Sequence, residues 1–124
     1  MQGGKCVILI VDDDPDVRDV IQLVLAPHGY VVVGAENAQQ GLQRYQKTRP
    51  DLIIVDLMME EVDSGARLVR ELQALGNTAP VYLLSSVGDG LSMTVDHAEL
   101  GVRGILQKPL LPSALLSLVR ATLA

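Results

Sequence analysis

The chain has 124 residues, a formal net charge of −5 and a pI near 4.8. That length fits one domain, and 48% apolar residues with 20% charged ones supply a core and argue against disorder. The acidic balance, the lack of any basic run and the absence of Phe and Trp exclude a surface that tracks nucleic-acid backbone or stacks on unpaired bases.

Before the first apolar run, Met-Gln-Gly-Gly-Lys lacks the hydrophobic stretch of a signal peptide, and no apolar run reaches 18 residues. The expectation is a cytoplasmic protein with no membrane or direct nucleic-acid contact. Cys6, the single cysteine, reads as a small buried hydrophobe at a strand start.

Val7 to Val11 is a continuous apolar run, as in a strand buried on both faces. Asp14-Pro15 then gives a helix cap with proline at the first helical position. Val17, Val20, Ile21, Val24 and Leu25 follow at helical spacing, and Pro27 and Gly29 end that helix. Tyr30 to Gly34 is a second strand. Asn37 caps a second helix reaching about Lys47, with Leu42 and Tyr45 facing inward, and Arg49-Pro50 breaks it.

Leu52 to Val55 is a third strand, and Asp56 to Asp63 a loop. Ser64 caps a third helix to about Leu75, which packs through Ala66, Leu68, Val69 and Leu72 and is closed by Gly76. Val81 to Leu84 is a fourth strand, and Ser85 to Gly90 a loop. A fourth helix runs to about Leu100, Gly101 closes it, Gly104 to Gln107 is a fifth strand, and Pro112 opens a final helix.

Five strand–helix units with short connections predict an α/β fold: a doubly wound, parallel five-stranded sheet with helices on both faces. The flavodoxin-like strand order 2-1-3-4-5 places its switch point between the first and third strands. Ligands of such sheets bind outside the carboxyl ends of the strands. Asp12, Asp13, Asp56, Ser85 and Lys108 all sit at those ends.

Two adjacent carboxylates and a third from the next strand repel one another unless a cation lies between them. Oxygen ligands alone suit Mg2+, with Mn2+ as the alternative. The backbone carbonyl of Met58 would complete the metal shell. Asp56 would be the nucleophile toward phosphorus, Lys108 a point charge on the incoming phosphoryl oxygens, and Ser85 a hydroxyl donor to one of them.

These segments carry a resemblance. Val-Asp-Asp-Asp-Pro-Asp (11–16), Val-Asp-Leu-Met-Met (55–59), Leu-Leu-Ser-Ser (83–86), Ala-Glu-Leu-Gly (98–101) and Leu-Gln-Lys-Pro (106–109) resemble the receiver domain of two-component response regulators over the whole chain. The resemblance implies a phosphoacceptor switch spanning residues 1–124 with no output domain, and no enzyme beyond Mg2+-dependent self-phosphorylation and slow self-dephosphorylation. By position, Asp12 and Asp13 match the metal-binding acids, Asp56 the phosphorylated aspartate and Met58 the carbonyl ligand. Ser85 matches the switch hydroxyl and Lys108 the phosphoryl-contacting lysine.

The implied donor is a sensor histidine kinase or a histidine phosphotransfer protein. The implied output is a downstream protein on the face of the fourth helix, fifth strand and fifth helix. The resemblance also places a cis bond at Lys108-Pro109, a linkage where cis costs little.

The chain departs from the family pattern where Glu60 replaces proline and Ser64 glycine after the phosphorylated aspartate. It departs again at Ile105, which replaces the aromatic residue that swings inward on activation, so the switch would be read by backbone and fourth-helix movement. Met58 and Val87, two residues after Asp56 and Ser85, are apolar and cannot hold a hydrolytic water, which implies a long-lived phosphoryl group.

Other readings are weaker. Asp12-x-Asp14-x-Asp16 opens like a calcium loop, but Val17 and Leu23 occupy its glycine and glutamate positions. Gly88-Asp-Gly90 lacks the third glycine of a dinucleotide loop, and His28 and His97 read as surface residues. A haloacid-dehalogenase-like phosphatase would need an acid at position 58, and an FMN-binding module would not put three acids after its first strand. The main alternative is a degenerate receiver that acts as a phosphorylation-independent interaction module.

Overall fold

The computed structural model describes residues 4–56, 64–85 and 101–123. Its strands are β1 (Val7–Val11), β2 (Val31–Ala35), β3 (Leu52–Asp56), β4 (Val81–Ser85) and β5 (Gly104–Gln107). Its helices are α1 (Pro15–Leu25), α2 (Ala38–Thr48), α3 (Ser64–Ala74) and a C-terminal helix (Pro112–Leu123). The fourth helix expected from the sequence lies outside the described residues.

All strands are parallel in the order β2-β1-β3-β4-β5, as expected. β1, β3 and β4 are buried along their whole length, so their unbroken apolar runs follow from having a helical layer on each face. Alternate residues feed two cores. Leu9, Val11, Ile53, Val55 and Leu83 pack with Leu68, Val69 and Leu72 of α3 and with Leu42 and Tyr45 of α2. Ile8, Ile10, Ile54, Tyr82 and Leu84 pack with Ile21 and Leu25 of α1 and with Leu115 and Val119 of the C-terminal helix. Each fully buried aliphatic side chain contributes about 1.5–3 kcal/mol. A one-residue slip of any central strand would exchange the two sets, so burial fixes the register.

Local chemistry sets the helix starts. Asp14 accepts the Asp16 amide at 2.9 Å with Pro15 next, and Asn37 accepts the Gln40 amide at 2.8 Å. α2 lies close on β1 because position 41 is glycine. A Cβ there would meet Val11 Cγ2 at 3.0 Å.

Five details differ from the sequence reading. β2 runs one residue later than expected and takes in Ala35, because its pairing with β1 matches Val11 to Ala35. Asp56 and Ser85 are the last residues of β3 and β4, not the first residues of loops, because the ladder extends to Asp56–Leu84 and Ser85–Gln107. α3 includes Ser64, the residue expected to cap it. Cys6 is only half-buried, since it precedes the ladder, although its carbonyl accepts the Val31 amide at 2.9 Å. On α1, Val20 is exposed with Leu23, because Ile21 and Leu25 point to the sheet and Val20 sits beside that stripe.

Candidate functional site

The carboxyl ends of β1, β3, β4 and β5 meet on one edge of the sheet. Asp12 follows β1 directly and is completely buried, while Asp56 and Ser85 are buried at the ends of β3 and β4. Carboxylate oxygens of Asp12, Asp13 and Asp56 all lie within 4.8 Å of one another, with Asp13 exposed at the mouth. Lys108 reaches in from the residue after β5. Its Nζ lies 3.0 Å from Asp12 Oδ2 and donates to Asp56 Oδ2 at 3.3 Å. The strand ends are tied together as well, since the Lys108 amide donates to the Ser85 carbonyl at 2.8 Å and the Lys108-Pro109 peptide is cis, as expected.

Asp12 is held on nearly every polar group it has. Its amide donates to the Ala35 carbonyl at 3.0 Å, and its Oδ1 accepts the Asp14 amide at 2.9 Å. Its carbonyl accepts from Arg18 Nη1 at 2.6 Å. Oδ2 is the exception: it is buried, and the contact with Lys108 is an ion pair without hydrogen-bond geometry. A buried carboxylate oxygen with no hydrogen bond is costly unless a cation stands before it.

The electrostatics agree. Partial burial and the neighbouring Asp12 charge push the Asp13 carboxyl above its ordinary value, against the pull of Lys108. Burial of the Lys108 ammonium works to lower its pKa, but the carboxylates of Asp12 and Asp56 outweigh it and hold the group above the usual lysine value. Lys108 is therefore a fixed cation at neutral pH. Three acids against one lysine leave an excess of negative charge, and the donors are all oxygens, so the donor set fits a hard divalent ion.

Of the residues singled out in the sequence, Asp12, Asp13, Asp56, Ser85 and Lys108 come together here. Met58 lies outside the described residues, as do Glu60, Val87 and His97. His28 is exposed, with its Nδ1 3.0 Å from Arg120 Nη2. Ile105 is partly buried against the core shared with Val55 and Leu83. The sequence reading missed Arg18. Only its place six residues after Asp12 hints at a role, and that hint needs the neighbouring strand to become visible.

The family model for the response regulator receiver domain matches residues 8–120. The chain belongs to that family. As a receiver domain of two-component signalling, it is of a kind that works as a signalling switch and pairs with histidine kinases and downstream effectors. The receiver is 32% identical to the chemotaxis protein CheY of Bacillus subtilis over 117 residues, covering 94% of this chain and 96% of that one. It is 34% identical to the response regulator MprA of Mycolicibacterium vanbaalenii, but spans only 49% of that protein's length. Its fold superposes on the chemotaxis response regulator CheY4 of Vibrio cholerae with a TM-score of 0.82 at 28% identity, over 95% of this chain and 98% of that one. No helix among the described residues is long and apolar enough to cross a membrane.

Proposed function

We propose that this receiver is a Mg2+-dependent phosphoacceptor switch in which Asp56 takes a phosphoryl group from a phosphohistidine. The supporting observation is the cluster of Asp12, Asp13 and Asp56, whose carboxylate oxygens lie within 4.8 Å of one another, with the Lys108 ammonium paired to two of them. Asp12, Asp13, Asp56 and the Met58 carbonyl would hold the ion, with Mn2+ as a substitute. When bound, the ion supplies positive charge to the phosphoryl oxygens.

The step itself belongs to the protein's side chains. An Asp56 carboxylate oxygen attacks phosphorus, a P–O bond forms and the P–N bond breaks. The imidazole nitrogen of the donor keeps the electron pair and takes a proton. Lys108, raised in pKa and held in place, meets the incoming phosphoryl oxygens, and Ser85 offers its hydroxyl to one of them. The degenerate reading is not favoured, because a domain that had lost this chemistry would have no need of five polar groups converging on one buried edge.

In this reading residues 1–124 act as one receiver unit. The donor is a sensor histidine kinase or a histidine phosphotransfer protein. A downstream protein binds a face that includes β5 and the C-terminal helix. The test is intact mass after incubation with a small phosphodonor. One acid-labile phosphoryl group should appear with Mg2+ and disappear with a chelator. Labelling that is unchanged by the chelator would refute it.

A further inference from the structure

Arg18 and Gly34 form a contact that the phosphoacceptor chemistry does not use directly. The Arg18 guanidinium donates to the backbone carbonyl of Asp12 at 2.6 Å. Its stem crosses β2 over Gly34, where a Cβ would stand 3.3 Å from Arg18 Cδ and 3.7 Å from Nε. Position 34 needs no glycine for its backbone, which is ordinary extended strand paired to Ile10. Strand propensity favours almost any other residue there. The missing side chain therefore serves as a passage for the arginine.

The carbonyl that Arg18 holds belongs to the peptide linking Asp12 to Asp13. Rotation of that plane would swing the Asp13 backbone away from the Asp12–Asp56 cluster. Ala35 holds the Asp12 amide and the Asp14 amide holds its Oδ1, and Arg18 adds the hold on its carbonyl. A charge-assisted bond to a carbonyl is both short and strong enough for that purpose.

We propose that Arg18, seated in the notch left by Gly34, is a positioning residue that aims the Asp12–Asp13 pair at the divalent cation. The inference rests on the metal reading given above. Groups that orient metal ligands without touching the ion typically contribute about 10–100-fold to affinity.

The experiment measures Mg2+ binding by titration calorimetry, without phosphodonor, alongside the melting temperature of the metal-free protein. Arg18→Met keeps the stem and removes the donor. Gly34→Thr leaves Arg18 in the sequence and fills its passage. Both should weaken Mg2+ binding by about tenfold or more. Gly34→Thr should lower the metal-free melting temperature less than Arg18→Met does, because threonine suits an edge strand and offsets part of the lost bond. The double variant should bind no worse than the weaker single one, since both changes break the same contact.

Binding within twofold of wild type in both single variants would overturn the proposal. So would losses that multiply in the double variant, or that merely track a fall in metal-free stability. Failure of the wild type itself to bind Mg2+ would overturn the metal reading and this inference with it. Normal wild-type binding with unaffected variants would overturn this inference alone.

Discussion

Lys108→Met should reveal how far the site depends on a cation when no metal is present. The substitution keeps the stem of the side chain and deletes a charge 3.0 Å from Asp12 Oδ2 and 3.3 Å from Asp56 Oδ2. At an effective dielectric of about 20, each contact is worth about 5 kcal/mol of Coulomb energy. Desolvation of the ions and the partial exposure of Lys108 offset much of that. Breaking a buried pair from one side costs about 3–5 kcal/mol, and the 20% exposure of Lys108 places this case at or below the lower end.

The metal-free variant should therefore melt up to about 10 °C below the metal-free wild type. Because the ion can stand in for the ammonium, saturating Mg2+ should raise the melting temperature more in the variant than in the wild type. The pH dependence has a definite sign. Lys108 has a folded pKa above its unfolded value, so its contribution is complete below about pH 10 and fades only at higher pH. In the variant Asp13 loses the pull of Lys108, so its carboxyl is pushed further above its ordinary value. Through that group the variant loses stability as pH rises through the carboxylate range, and the gap to wild type should narrow at acid pH. Differential scanning calorimetry at several pH values, with and without Mg2+, measures all of this. Equal melting of the two metal-free proteins at pH 7, or equal Mg2+ shifts, would refute the reasoning.

Saturating Mg2+ should stabilise the wild type by about 2.7 kcal/mol at one hundred times its dissociation constant, and Asp12→Asn should abolish the thermal shift. Met58→Asn combined with Val87→Glu should speed loss of the phosphoryl group by about 10²-fold, because the pair would hold and deprotonate a water opposite Asp56. Phosphate release followed at fixed Mg2+ checks this, and equal rates would refute the water-exclusion argument. Gly41→Val should destabilise the fold by about 1–3 kcal/mol by pressing α2 off Val11 and Leu68, measured by urea denaturation.

Much of this was legible in the sequence because the relevant signals are local. The apolar runs at 7–11, 52–55 and 81–84 mark strands with a core on both sides, and polar residues directly after them mark the edge where a site can form. Asp14 and Asn37 announced their helices through cap chemistry alone. What could not be read depends on neighbours distant in sequence. The end of β2 is set by its pairing with β1, and β2 is an edge strand whose half-buried residues carry a weak pattern. Val20 is apolar at helical spacing, yet it sits beside the stripe of Ile21 and Leu25 that meets the sheet. Arg18 has meaning only once Gly34 of another strand is beside it, and no spacing rule links the two.

The central claim is that Asp56 is the residue that carries the phosphoryl group. Wild type and Asp56→Asn would be incubated with phosphodonor and Mg2+, reduced with borohydride and mapped by peptide mass. Reduction turns an aspartyl-phosphate into homoserine and so records its position. The account predicts homoserine at position 56 in the wild type, and no labelling in a folded Asp56→Asn. Homoserine at position 12 or 13, a phosphoryl group on Ser85, or undiminished labelling of Asp56→Asn would contradict it.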